Sequence, residues 1–376
     1  MSVYLDYNAS APVLPEVLDV MIDTYRNVPG NADSRTHIYG TTAGKLVLDC
    51  RSSIASILGV DQSEVIFTAG STESNNTCIL GIEDYARQTG KCHIITTAIE
   101  HKAILEPLRH LEAKGFQVDY VKPGESGRVD AKELLSLVRD DTVLVSVMYA
   151  NSETGIIQPV DEIGAALKER NILFHVDATQ AFGKLNREIR KLNYNMMSIA
   201  SHKIGGPQGI GALILKRDKS YKRPPITPLM YGGHQERGFR PGTTPVALVA
   251  GFAKAAELCD KNLDETERKC AAIKEDFFHT IEGLPYVING APAYCLPSTV
   301  NISIDGLDAE AAFLCLGDDY SFSNGSACNS SSHTLSYVLE AMGLDEKRRA
   351  EAIRLSWNGS EKIDFTDFAE IIKSMI

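Results

Sequence analysis

The chain has 376 residues, 44% of them hydrophobic and 23% charged, which is the composition of a globular protein large enough for two domains. Its net charge of −11 argues against direct binding of nucleic acid, because such binding needs a positive field. No run of about 20 apolar residues is present, so no membrane-spanning helix is expected. The start, MSVYLDYNASAP, lacks the basic and apolar regions of a signal peptide, so we expect a cytoplasmic protein.

The first two thirds of the chain alternate short apolar runs with helical segments. An extended start leads into a helix, and after the loop GNADSRTHIYG the residues Leu46, Cys50, Ile54 and Leu58 recur at helical spacing. Buried strands are predicted in EVIFT, CHIITT, TVLVSVM, ILFHV and MMSIA, with an edge strand in GFQVDYV and a returning strand in IGALILK. This alternation predicts an α/β fold with a mostly parallel central sheet flanked by helices.

The last third has a different pattern. A long helical stretch from about 246 to 282 precedes a strand in STVNISIDG, a helix in AEAAFLCLG, a segment in IRLSW and a final helix in FTDFAEIIKSMI. We expect a large domain at 14–255 and a smaller α+β domain made of 1–13 and 256–376. The eight cysteines form no CxxC pair, so we expect neither a zinc site nor a disulfide framework.

Polar residues follow the predicted strands at one edge of the sheet. The strands end near Gly70, Glu100, Asn151, Asp177 and Ser201, and parallel strands present their carboxyl ends to the same crevice. Asp177 and Lys203 should therefore face one site. An amine that can bind an aldehyde and a carboxylate that can keep a pyridine nitrogen protonated suit pyridoxal phosphate. The alternative is a modest salt bridge at the sheet edge.

Other residues of this edge also have two interpretations. The segment after Gly70, STESN, is either a phosphate site at a helix start or an ordinary helix cap. His101 either lies on an aromatic cofactor or caps its helix. Asn151 and Glu153 can be turn residues. Cys328 lies in a small, polar segment, SNGSACNSSS, where it is either a reactive thiol or an inert one.

A set of motifs along nearly the whole chain resembles cysteine desulfurases of the NifS/IscS type, in the class V aminotransferase branch of the fold-type I pyridoxal-phosphate enzymes. The motifs occur in the order of that family: LDYNASAP, GNADSRTH, TAGSTESNN, TAIEHKA, NSETG, HVDATQ, SHKIGGPQGIGA, RPGTTP, SNGSACNSSS and IRLSW. The resemblance implies the fold-type I architecture, pyridoxal 5'-phosphate as cofactor and a homodimer.

The resemblance also implies roles for individual residues. Lys203 is similar to the lysine that binds the cofactor, Asp177 to the partner of its ring nitrogen, Gln180 to the donor to its phenolic oxygen and His101 to the residue stacked on its ring. The phosphate-binding positions match Ser71, Thr72, Ser201 and His202, with Thr243 reaching the phosphate of the neighbouring subunit. Positions on the substrate side match Asn151, Arg354 and Asn31, and Cys328 resembles the nucleophile.

The implied activity is conversion of L-cysteine to L-alanine, with a persulfide on Cys328 that passes to a protein sulfur acceptor. In the housekeeping relatives a longer end helps dock an iron–sulfur scaffold. The short chain end here leads to the hypothesis of a dedicated thiolation pathway, such as DNA phosphorothioation or tRNA thiolation. The alternatives are a selenocysteine lyase or another class V enzyme, and a non-catalytic scaffold with the same fold.

Overall fold

The computed structural model describes residues 2–323 and 335–376, and Cys328 lies outside these residues. Its main feature is a seven-stranded sheet. In chain order the strands are Val65–Thr68 (β2), His93–Thr97 (β3), Gln117–Val121 (β4), Thr142–Met148 (β5), Leu173–Asp177 (β6), Met196–Ala200 (β7) and Gly211–Leu215 (β8), after the short β1 at Val3–Tyr4. These are the strands that the apolar runs predict.

The order of strands in this sheet is β2-β8-β7-β6-β5-β3-β4. β8 is antiparallel to both of its neighbours, whereas β7, β6, β5, β3 and β4 pair in parallel. Every residue of β2, β3, β5, β7 and β8 is buried, which explains why their sequences are apolar runs rather than alternating patterns. The parallel strands bring the residues that follow them to one edge, as predicted.

Helices cover the sheet and extend into the rest of the chain. They are Pro15–Asn27 (α1), Ile38–Leu58 (α2), Ser71–Gly81 (α3), Glu83–Thr89 (α4), Lys102–Glu112 (α5), Ala131–Ser136 (α6), Val160–Arg170 (α7), Asn186–Ile189 (α8), Val246–Lys261 (α9), Leu263–Thr280 (α10), Ala309–Leu316 (α11), Tyr337–Ala341 (α12), Glu346–Ala350 (α13) and Thr366–Met375 (α14). None of the helices in the described part of the chain is long and apolar enough to cross a bilayer.

A second, smaller sheet lies in the last third of the chain. Strands Tyr286–Ile288 (β9), Thr299–Ile304 (β10) and Ala352–Ser356 (β12) form it in the order β12-β10-β9, and β1 pairs with Tyr320–Ser321 (β11). Leu5, Phe277 and Phe368 belong to the hydrophobic core beneath this sheet. The chain start therefore packs with the last third. Because α9 continues past residue 255 to Lys261, the division into two domains at that residue stays a prediction.

Candidate active site

A cavity of about 360 Å³ opens at the carboxyl ends of β5, β6 and β7. The first residues of α3 and α5, the chain start and β12 complete its walls. Eight of the predicted site residues line it: Ser71, Thr72, His101, Asp177, Gln180, His202, Lys203 and Arg354. The structure thus brings together residues from five motifs that lie up to 283 positions apart, from Ser71 to Arg354.

Asp177 is the last residue of β6, and its carboxylate is held in place by neighbouring donors. The Asn75 side-chain amide donates to Asp177 Oδ2 at 2.7 Å, and the Thr179 backbone N–H donates to Oδ1 at 2.9 Å. Asp177 is buried, so these bonds fix the direction of its carboxylate. Such a carboxylate can hold a protonated ring nitrogen.

Lys203 reaches the same cavity from the turn that follows β7. Its Nζ donates to the carbonyl oxygens of Asn8 and Ala9, at 2.7 Å each. The Gln180 side chain donates to the Asn8 carbonyl from the other side, at 2.8 Å. The amine therefore lies beside Gln180, on a short backbone segment of the chain start.

The α3 end of the cavity suits an anion. Gly70 precedes the helix and has no side chain to cap it, so the first N–H groups of α3 and the hydroxyls of Ser71 and Thr72 remain for a ligand. The Ser201 Oγ is buried and has no hydrogen-bond partner among the described residues. Burial and the neighbouring Lys203 lower the pKa of His202 to about 4, so its imidazole is neutral at pH 7.

His101 caps the start of α5. Its Nδ1 accepts the backbone N–H of Ala103 at 3.0 Å, so the proton of the neutral ring is on Nε2. Both interpretations of this residue from the sequence are compatible with the structure, because the capping imidazole also lines the cavity.

Arg354 lies in the middle of β12, and its side chain is buried. Its guanidinium forms an ion pair with Asp6 and donates to the Ser152 carbonyl at 3.1 Å. These contacts fix a planar cation at the cavity wall, and such a cation is well suited to a carboxylate ligand.

Comparisons with known proteins agree with this geometry. The family model for aminotransferase class-V matches residues 3–356. The mitosomal cysteine desulfurase of Trachipleistophora hominis is 41% identical over 359 residues, which cover 94% of this chain and 80% of that protein. The chain belongs to the cysteine desulfurases of the class-V aminotransferase family. The predicted family and fold are therefore confirmed.

Solved structures support the same family. A NifS-like protein superposes with a TM-score of 0.91 at 35% identity, covering 100% of this chain and 99% of that one. A structure described as SspA in complex with cysteine gives a TM-score of 0.84 at 34% identity, covering 95% and 99%. The class V family thus accounts for the α/β architecture.

Not every predicted residue of this family member reaches the cavity. Asn151 is buried beneath it and accepts the backbone N–H groups of Glu153 and Thr154, which is the turn chemistry that the sequence left open. Ser201 is buried beside Lys203 but is not part of the described lining. Asn31 and Thr243 are exposed and are not among the described residues that line the cavity. Cys328 lies outside the described residues.

The structure also adds residues that the sequence interpretation did not assign to the cofactor or the substrate. Asn8 and Glu153 line the cavity, and Asn75 supports Asp177 from within α3. Burial raises the pKa of Glu153 to about 7, while the Ser336 hydroxyl and the Arg354 charge oppose the rise. All three residues lie inside quoted motifs, LDYNASAP, NSETG and TAGSTESNN, but only the fold shows that they belong to one site.

Proposed function

We propose that the protein removes sulfur from L-cysteine with pyridoxal 5'-phosphate, releasing L-alanine and leaving a persulfide on Cys328. The observation that carries the proposal is the shared cavity of Lys203, Asp177 and Arg354. An amine for the cofactor, a carboxylate for its ring and a cation for the substrate carboxylate are the groups that this reaction requires.

The described residues fit this cofactor. Asp177 would hold the ring nitrogen, Gln180 the phenolic oxygen and His101 one face of the ring. Ser71, Thr72 and His202, which line the cavity, would hold the phosphate. Ser201 would join them: its buried hydroxyl is not part of the lining but has no hydrogen-bond partner among residues 2–323 and 335–376. When bound, pyridoxal phosphate supplies an electron sink for the carbon atoms of the substrate.

The residues of the chain then have distinct tasks. Arg354 binds the substrate carboxylate, and the Lys203 amine removes the proton from the substrate Cα and later returns one. The Cys328 thiolate attacks the substrate sulfur, so that an S–S bond forms and the C–S bond breaks. The electron pair of the broken bond stays with the substrate carbon, which takes up a proton to give alanine.

A homodimer is part of the proposal. Exposed apolar side chains lie on α1, at the start of α2 and in segment 229–231, among them Tyr25, Ile38, Tyr39 and Tyr231. Exposed groups of this kind favour a protein interface. Arg240 forms an ion pair with Glu73 in the first turn of α3, so the RPGT segment with the exposed Thr243 lies close to the proposed phosphate site. Thr243 would act on the phosphate of the partner subunit.

The proposal also covers the sulfur acceptor and the cell compartment. A protein acceptor follows from the persulfide chemistry, and DNA phosphorothioation or tRNA thiolation is the hypothesis for its pathway. Cytoplasmic location stays a prediction. The relative from Trachipleistophora hominis is named mitosomal, so it does not support that location.

Mass spectrometry tests the proposed function. The purified protein is loaded with pyridoxal phosphate, incubated with L-cysteine and digested, and alanine is measured in parallel. We expect one added sulfur atom on the Cys328 peptide and none in a Cys328→Ala variant. A Cys328→Ala protein that forms alanine from L-cysteine at the full rate would instead favour a lyase of the same family.

A further inference from the structure

Lys184 lies behind the proposed cofactor site and contacts two of its walls. The residue follows Gly183, after the turn that carries Asp177 and Gln180. Its Nζ donates to Gln180 Oε1 at 3.1 Å and to Asn8 Oδ1 at 3.4 Å. Lys184 is not among the described residues that line the candidate active site, although it shares a second cavity with Lys203. Its hydrogen bonds to Gln180 and Asn8 are its direct contacts with the walls of that site.

These contacts fix which end of the Gln180 amide faces which neighbour. The amide oxygen accepts from the Lys184 ammonium, and the amide nitrogen donates to the Asn8 carbonyl at 2.8 Å. In the flipped orientation, two donors would face each other at Lys184 and two acceptors at Asn8. The amide therefore keeps an N–H group for the cavity, which is the group that can bind an oxygen atom of a ligand.

Asn8 connects the same network to the small sheet. Its side-chain amide donates to the Ser152 carbonyl at 3.1 Å and to Thr299 Oγ1 at 3.0 Å. The backbone carbonyl oxygen of Asn8 accepts from Lys203. A charge-assisted bond from Lys184 to Asn8 Oδ1 sets the orientation of this second amide too. One cation thus orients the side-chain amides of both Gln180 and Asn8, and the backbone carbonyl of Asn8 binds the Lys203 amine.

Lys184 is half-buried, in surroundings that disfavour the charged form of its amine. It lines a second cavity of about 320 Å³ together with Cys259, Cys270 and Trp357. Its pKa is lowered from 10.5 to about 8, mainly by burial and to a smaller extent by the nearby Arg354, although the two thiols oppose the shift. An ammonium group is rarely placed in such surroundings without a partner that uses its charge.

We propose that Lys184 is a positioning residue that orients the Gln180 amide, so that its N–H group faces the phenolic oxygen of the cofactor. This inference rests on the proposed function, because it names the group that Gln180 binds. The effect is on affinity for pyridoxal phosphate and on the absorption spectrum of the bound cofactor, both of which are measured without turnover.

The first measurement is the dissociation constant of pyridoxal phosphate for the cofactor-free protein. Loss of a charge-assisted hydrogen bond predicts a value about 10-fold higher for Lys184→Met, together with a shifted absorption maximum. Lys184→Arg should stay within about 3-fold of wild type, because it keeps the cation and the second cavity has room for the larger group. Lys168→Met is the matched control, since Lys168 donates to the Asn193 side chain at the protein surface.

A double-mutant cycle separates positioning from a merely structural role. If Lys184 acts through Gln180, Lys184→Met should add less than about 2-fold in a Gln180→Met background. Equal affinity in Lys184→Met and wild type, or fully additive effects in the cycle, would overturn the proposal. An unfolded Lys184→Met protein would also overturn it, because orientation alone is assigned to this residue. A wild-type protein that takes up no pyridoxal phosphate would instead reject the proposed function.

Discussion

The buried carboxyl group of Glu153 should make the stability of the protein depend on pH. The side chain accepts the Ser336 hydroxyl at 2.5 Å and lines the candidate active site. Arg354, His101 and Lys102 are the charged or titratable groups that favour its ionised form. Burial is nevertheless the largest effect and raises the pKa from 4.5 to about 7.

The sign follows from the state that binds the proton more tightly. Between pH 4.5 and 7 the folded protein keeps the Glu153 proton, whereas the unfolded chain has lost it. The contribution of Glu153 to the stability of the folded state is thus fully present below pH 4.5 and is lost as the pH rises to about 7. At about 1.4 kcal/mol per pH unit, the loss over this interval is about 3 kcal/mol.

Urea denaturation of the cofactor-free protein measures this effect, as the free energy of unfolding at pH values of about 5, 6, 7 and 8. Glu153→Gln keeps an acceptor for Ser336 but cannot ionise. The free energy of unfolding of the variant, relative to that of wild type, should therefore increase by about 2–3 kcal/mol between about pH 5 and about pH 8. Glu125→Gln, at an exposed turn, is the control. Parallel curves for Glu153→Gln and wild type would show that the carboxyl group is already ionised at pH 5.

Three further substitutions test the site and the fold. Lys203→Ala should bind pyridoxal phosphate without the absorption band of the covalent adduct, as a spectrophotometric titration would show. Arg354→Lys should raise the KM for L-cysteine by about 10- to 100-fold with folding intact, because a planar, two-pronged donor is lost. Glu236→Gln should lower the free energy of unfolding by about 3–5 kcal/mol, because it leaves the guanidinium of Arg51 buried without its carboxylate partner.

Each of these has an outcome that would contradict it. An unchanged band in Lys203→Ala would place the cofactor on another amine, and an unchanged KM in Arg354→Lys would move the substrate carboxylate elsewhere. For Glu236→Gln the comparison is Glu106→Gln, which removes an exposed ion pair with Arg109 and should change stability by less than about 1 kcal/mol. Equal effects of the two substitutions would mean that burial of the Arg51 pair contributes nothing.

The sequence was informative wherever the signal is local. The runs VLVSVM and MMSIA indicate buried strands because each of their residues is covered by the sheet or by a helix. The break after Lys261 was not predicted, since α9 and α10 are separated only by Asn262 and no proline or glycine marks the turn. Helix periodicity alone continues across such a break.

The sequence by itself determined the α/β alternation, the family motifs and the arrival of Asp177 and Lys203 at one edge of the sheet, because the pleat and direction of parallel strands decide these. Only the tertiary structure showed that Asn8 lies between Gln180, Lys203 and Thr299, and that Glu153 is fully enclosed. Contacts between residues more than a hundred positions apart depend on how the two sheets pack, and no local pattern encodes that packing. Burial of a carboxyl group, and therefore its pKa, depends on the same packing.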